Sequence, residues 1–210
     1  MTSATVFIVD DDAGIRSSLA LLLEMADITS AGFASAADFL ATCGPSPEGC
    51  LISDVRMPGM SGLQLQDEMA LRQIHLPIIF LTGFADVPMA VGAMRKGAVE
   101  FMAKPINGAV LLEHVHRALE TNRLQRNARA VRARFEALLS KLTPREREVL
   151  VLALSGMMNK TISDDLGISV RTTEGHRTRI YLKLGVDSLI EVAQLATLAG
   201  MPLSEMASLS

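Results

Sequence analysis

The chain has 210 residues, of which 49% are apolar and 20% charged, with a formal net charge of −3. That length suits two modest domains, at about 100 to 200 residues per domain. No apolar run approaches the roughly 18 residues of a membrane helix, and Met1-Thr2-Ser3-Ala4 lacks the basic start and long apolar stretch of a signal peptide, so a cytoplasmic protein without a membrane partner is expected.

The first 120 residues alternate strand-like and helix-like segments. Strands are predicted over Thr5 to Val9, Thr29 to Phe33, Cys50 to Asp54, Pro77 to Thr82 and Val99 to Ala103. They are apolar almost throughout, as a sheet covered on both faces requires. Between them the 3.6-residue periodicity predicts helices over Ile15 to Met25, Ser35 to Thr42, Gly62 to Arg72, Val87 to Lys96 and Asn107 to Glu120. Five βα repeats imply an α/β fold, a doubly wound five-stranded parallel sheet of flavodoxin-like size. Cys43 and Cys50 flank a Gly/Pro loop without metal-ligand spacing and read as inert reduced thiols.

From Leu119 to Leu142 five arginines, at 123, 126, 129, 132 and 134, interleave with Leu124, Ala128, Val131, Phe135, Leu138 and Leu142. The apolar spacing of 4, 3, 4, 3 and 4 is a heptad-like seam on one helix face. If helical throughout, the stretch would extend about 36 Å. It reads equally well as a connector packed on its own protein and as a dimerising coiled coil. Beyond it Thr143-Pro144-Arg145-Glu146 forms a capping box, opening a helix to about Ser155. A short helix over Lys160 to Leu166, the turn Leu166-Gly167-Ile168-Ser169 and a third helix over Val170 to Leu184 form a helix-turn-helix. Asp187 or Ser188 caps a fourth helix to about Leu198. The domains expected are thus residues 4–121, a linker helix over 122–141 and a small all-α four-helix domain over 142–205.

Chemistry gathers just past the strands. Asp10, Asp11 and Asp12 follow the first, Asp54 ends the third, Thr82 the fourth, and Lys104-Pro105 follows the fifth. In an open α/β sheet these ends meet in one crevice. A carboxylate attacks an anionic phosphoryl donor poorly unless a hard divalent cation relieves the repulsion. Asp54 is then the nucleophile forming an acyl phosphate, Asp10 and Asp11 the metal ligands, Lys104 the partner of a phosphoryl oxygen and Thr82 the hydroxyl that reports the phosphate. Asp12 reads better as a first-turn helix acid than as a ligand. His75, His114 and His116 are scattered singly and read as surface or satisfied core.

Asp-Asp after strand one, Asp-x-x-Met-Pro-x-x-x-Gly after strand three, Thr-Gly after strand four and Lys-Pro after strand five resemble, in order and spacing, the receiver domain of two-component response regulators. Asp86-Val87-Pro88-Met89-Ala90 with Gly97-Ala98-Val99 is similar to the FixJ subgroup in particular. The resemblance implies phosphorylation of Asp54 by a sensor histidine kinase, with Mg²⁺ as cofactor held by Asp10, Asp11, Asp54 and the backbone carbonyl of Arg56. It also implies a rotating aromatic at Phe101, a cis peptide at Lys104-Pro105 and a pairing surface of Val91, Arg95 and Glu100. Phe84 stands where the FixJ pattern usually has His, beside the phosphate.

The back half carries the complementary charge. Residues 1–120 hold 7 basic and 14 acidic side chains, net −7, whereas residues 121–210 hold 13 and 9, net +4. A basic half suggests a polyanionic partner, although charge alone would fit a solvated helix face. Leu142 to Leu150, Asn159 to Ser163 and Ser169 to Arg177 resemble the LuxR/NarL/FixJ-type DNA-binding domain. Lys160, Arg171, Arg177, Arg179 and Lys183 could meet phosphates, while Thr172, Glu174, His176 and Thr178 are placed to reach base edges of double-stranded promoter DNA. Thr173 replaces the usual aliphatic residue, and Gly175 inside the helix costs about 1 kcal/mol relative to Ala. The expectation is a homodimer formed on phosphorylation that binds promoters, with RNA polymerase as a further partner and no catalysis beyond its own aspartyl phosphorylation and dephosphorylation. An aspartyl phosphohydrolase and an unphosphorylated platform carrying the DNA-binding module are the rival readings.

Overall fold

The computed structural model describes residues 4–44, 47–83 and 86–208. The chain divides into two compact units, 1–125 and 126–210. The first holds the strands β1 (Thr5–Val9), β2 (Thr29–Phe33), β3 (Gly49–Asp54), β4 (Ile78–Thr82) and β5 (Glu100–Ala103). They form one parallel sheet in the order β2-β1-β3-β4-β5. The helices α1 (Ala13–Glu24), α2 (Ala36–Thr42), α3 (Gly62–Leu71), α4 (Val87–Arg95) and α5 (Gly108–Leu139) connect and follow them.

Alternation along the strands divides the core by face. Val6, Ile8, Cys50, Ile52, Ile79 and Leu81 pack with Leu19 and Leu23 of α1 and Leu111, Val115 and Ala118 of α5. Val9, Leu51, Ile78 and Phe80 pack on the other side with Phe39, Leu65, Met69 and Ala93 of α2, α3 and α4. β4 starts at Ile78 rather than Pro77, since proline has no N–H for the ladder, although the Pro77 carbonyl still accepts from Leu51 N at 2.9 Å. β1 lies between β2 and β3, so the chain leaves it in opposite directions and opens a crevice at its carboxyl end.

The predicted last helix of the front half and the linker are one helix, α5, which ends at Leu139 instead of continuing to 141. Its base is fixed by the buried Asn122, whose side chain accepts from Gly49 N at 3.1 Å and donates to the His75 carbonyl at 3.2 Å. The heptad-like seam splits: Leu124 and Val131 remain 55% and 38% exposed, whereas Phe135 is buried in the second core and Leu138 packs half-buried against it, beside the buried Leu139 that lies outside the seam. Leu142 is buried there too, but from a turn beyond the helix, so residues 119–142 are not helical throughout.

The second unit adds α6 (Pro144–Leu154), α7 (Asn159–Leu166), α8 (Val170–Leu184), α9 (Leu189–Leu198) and a short α10 (Leu203–Ser208) absent from the four-helix expectation. Met206 of α10 is buried and Glu205 ion-pairs with Arg132. The Thr143 capping box forms, and Ser169 and Ser188 cap α8 and α9. Among the described residues no helix is long and apolar enough to cross a membrane.

Candidate functional site

In the crevice, Lys104 Nζ lies 2.7 Å from Asp54 Oδ1 and 2.8 Å from Asp10 Oδ2. Both acids are nearly buried, at 7% and 2% exposure. Each carboxylate's other oxygen is held by backbone: Asp54 Oδ2 accepts from Arg56 N at 2.7 Å, and Asp10 Oδ1 from Asp12 N at 2.9 Å. The Asp10 carbonyl accepts from Arg16 Nη1 at 2.7 Å, fixing the end of β1. Burial works against the Lys104 ammonium, but hydrogen bonds to Asp10 and Asp54 outweigh it and raise the pKa above the ordinary lysine value. Proton, charge and position of that ammonium are all set by two acids from two strands.

The backbone around Asp54 is equally constrained. Gly62 opens α3 against the end of β3, where an added Cβ would come 2.2 Å from the Asp54 carbonyl oxygen. Thr82 is buried at the end of β4, and its carbonyl accepts from Lys104 N at 2.7 Å, aligning the last two strand ends. The Lys104-Pro105 peptide is cis, and the Phe101 ring is 6.0 Å from that of Phe80. Asp11 is exposed. Asp12 is the N-cap of α1, accepting from Gly14 N and Ile15 N, rather than a first-turn acid. Phe84 lies outside the described residues.

Val91 and Arg95 are exposed on α4. Glu100 of β5 is engaged within its own unit, its Oε2 lying 3.5 Å from His114 Nδ1 and 3.7 Å from Arg117 Nη2.

In the second unit, Gly167 ends α7 in the left-handed conformation, with φ at 64°, and Ser169 accepts from Thr172 N at 3.1 Å to start α8. Thr173, Ile180 and Leu184 form the inward stripe of α8. Thr173 is accommodated there because its hydroxyl donates to the Ser169 carbonyl at 3.3 Å. Lys160, Arg171, Thr172, Glu174 and Thr178 are exposed. His176 is half-buried; burial, then the charge of Arg179, lowers its pKa. Arg179 Nη2 donates to His176 Nδ1 at 3.1 Å, which leaves the ring proton on Nε2.

Other basic groups are committed internally. Arg177 donates to Asn159 Oδ1 at 2.7 Å and to the Tyr181 hydroxyl at 3.2 and 2.8 Å, pinning the start of α7 to α8. Three successive charged residues of α6 each grip a different helix. Arg145 donates to the Leu166 carbonyl of α7, and Arg147 to the Leu139 carbonyl of α5 at 3.1 Å. Glu146, 3% exposed, accepts from Lys183 of α8 at 2.6 Å and from Thr143 N at 2.8 Å. Burial disfavours its charged form, yet Lys183 and then Thr143 outweigh that and lower its pKa. Sequence spacing signalled only the capping half of Glu146's part, and gave no sign of the Asn159, Arg177 and Tyr181 cluster.

Two family models match the chain. The response regulator receiver domain matches residues 6–116, and the bacterial regulatory proteins of the luxR family match residues 140–196. Transcriptional regulatory protein FixJ of Azorhizobium caulinodans is 41% identical over 199 residues, covering 95% of this chain and 94% of that one. Among solved structures, the response regulator StyR superposes with a TM-score of 0.82 at 41% identity, covering 93% of this chain and 99% of that chain. Full-length FixJ from B. japonicum gives 0.57 at 36% identity, covering 96% and 100%. With both halves matched and that level of identity along almost the whole length, the chain belongs to the FixJ-type response regulators, which join a receiver domain to a LuxR-family helix-turn-helix.

Proposed function

We propose that Asp54 is the phosphoacceptor through which a sensor histidine kinase controls promoter binding by the helix-turn-helix. The observation that carries this reading is the single ammonium of Lys104 shared between Asp54 and Asp10 at the crevice of the sheet. Phosphorylation adds oxygens and negative charge where one carboxylate oxygen stood. Lys104 then exchanges Asp54 Oδ1 for a phosphoryl oxygen while Asp10 keeps it in place. The Thr82 hydroxyl, at the end of the next strand, engages the same group, and Phe101 follows it. The Arg56 N–H holds one Asp54 oxygen throughout and so orients the carboxylate.

Oxygen donors from three acids and a carbonyl fit a hard divalent cation. Asp10, Asp11, Asp54 and the Arg56 carbonyl would hold Mg²⁺, which when bound neutralises charge on the incoming phosphoryl group and orients it. Displacement of Thr82 and Lys104 biases the surface of Val91, Arg95 and Glu100 towards pairing with a second copy. Pairing brings two helix-turn-helix units to double-stranded promoter DNA, where transcription and RNA polymerase are regulated. Lys160 and Arg171 meet phosphates, Thr172, Glu174, His176 and Thr178 face base edges, and Arg177 positions α7 against α8 as well as adding charge. The functional divisions are a receiver over 4–121, a linker over 122–141 and a DNA-binding domain over 142–205, all in the cytoplasm, with no turnover beyond the protein's own aspartyl phosphate.

Incubation with acetyl phosphate and Mg²⁺, followed by intact mass and operator titration, tests the reading. One phosphoryl group per chain, lost in Asp54→Asn, should accompany dimerisation and tighter operator binding. An Asp54→Asn protein that still responded fully would refute it.

A further inference from the structure

Gly175 occupies a helix interior where its presence has no explanation within the fold. It is absent from the glycines of positive φ, so its backbone conformation does not demand glycine. An added Cβ would meet nothing within 4 Å, so no neighbour demands the space either. Glycine in this position costs helix stability relative to alanine. The location is specific: at 3.6 residues per turn, Gly175 lies about 200° around α8 from the buried Thr173, at the middle of the outward face. Arg171, Thr178 and Leu182 share that face at positions i−4, i+3 and i+7. All three are exposed, Leu182 at 82%. Thr178 spends its hydroxyl on the Glu174 carbonyl at 3.1 Å, so the group it offers outward is its methyl. The centre of the face is therefore a bare stretch of backbone beside a methyl, with the cation of Arg171 one turn before it.

We infer that Gly175 and the Thr178 methyl form a small apolar notch that receives the 5-methyl group of a thymine in the major groove, making Gly175 a specificity-determining residue. The inference rests on the proposed DNA-binding reading. The thymine methyl is the apolar feature of a major-groove edge, and small or methyl-bearing side chains are its usual neighbours. A side chain at 175 would fill the notch. Gly92 is the other helix-interior glycine with open surroundings, and it too lies on a face proposed to meet a partner, beside Val91 and Arg95 of α4.

Sites would be selected from random duplex DNA with the phosphorylated full-length protein, and each thymine then replaced singly by deoxyuracil, which removes only the methyl. At one position per half-site the replacement should weaken binding about fourfold, the worth of one buried methyl-sized group. Gly175→Gln, a better helix former whose longer polar side chain overfills the notch, should melt no lower than the parent, yet lose that thymine preference while leaving the others intact. Uniform indifference to deoxyuracil overturns the inference, as does an unchanged preference in Gly175→Gln. A change in self-association of the variant with its thymine preference intact overturns it as well. Failure to select any sequence overturns the DNA-binding reading and the inference together.

Discussion

Lys104→Met removes the cation shared by Asp10 and Asp54 while keeping most of the side chain's length. The two carboxylate oxygens lie 2.8 and 2.7 Å from Nζ, which puts them at most about 5.5 Å apart. At an effective dielectric constant of about 20, two unit charges at that separation repel by about 3 kcal/mol, and each ammonium–carboxylate attraction is about 6 kcal/mol before desolvation. In the parent, attraction covers repulsion. In the variant, about 3 kcal/mol of repulsion stands uncompensated between two acids at the sheet's edge, and a divalent cation held by them would relieve it. Solvent screening lowers that figure, so the expected extra Mg²⁺ stabilisation of the variant over the parent is about 1–3 kcal/mol, an affinity gain of roughly 5- to 150-fold. Calorimetry of the full chain at neutral pH, titrated with Mg²⁺, reads this as a larger upward shift of one melting transition in Lys104→Met than in the parent. Equal or smaller stabilisation of the variant would refute the claim that Lys104 balances these two acids.

Two further perturbations probe the second unit. Glu146→Gln should cost about 2 kcal/mol at pH 7, the scale of hydrogen bonds to a charged group. Since the folded-state pKa of Glu146 is depressed, its contribution is present above the ordinary carboxylate pKa of about 4.3 and lost as pH falls through the lower folded value. Parent and variant denaturation curves should therefore converge in acid, and a gap that persisted there would discard the ionic explanation. Arg177→Gln should lower stability by about 1–2 kcal/mol through the lost ties to Asn159 and Tyr181, with little change in the salt dependence of DNA binding. Lys160→Gln and Arg171→Gln should each reduce that salt slope by about 1 with little effect on melting, and the opposite pattern would return Arg177 to the phosphates.

The crevice was legible in the sequence because its members announce themselves locally: an acid ending an apolar run needs no knowledge of distant partners to be placed at a strand end. Asp54 and Lys104 are 50 residues apart and meet because parallel strands deliver their ends to one edge. The sheet itself followed from the same apolar runs. The linker was less legible. Leu142 keeps the heptad spacing after Leu138 although α5 has ended at Leu139, because periodicity reports which side chains are apolar and not whether the backbone between them is helical. α10 is six residues long, follows Pro202 and offers one buried side chain, Met206, within its described burial, too little pattern to register.

Charge was the least legible property. Arg177, Arg179 and Lys183 look alike in sequence, each a cation on a helix of a basic half. In the structure Lys183 is bound to Glu146 from 37 positions upstream, and Arg177 to Asn159 from 18 positions upstream. With Arg179 Nε 3.6 Å from Glu146 Oε1, all three cations are parts of the frame that sets the angle of α8, while Arg171 and Lys160 stay exposed. The chain thus separates two uses of positive charge on one short stretch. Groups facing α6 and α7 fix where the recognition helix lies, and groups on its far side meet whatever approaches. The three consecutive residues Arg145, Glu146 and Arg147 extend the same logic to α7, α8 and the end of α5. Any shift imposed on the last turn of α5 therefore bears, through Arg147, on the helix whose next residue inward holds Lys183.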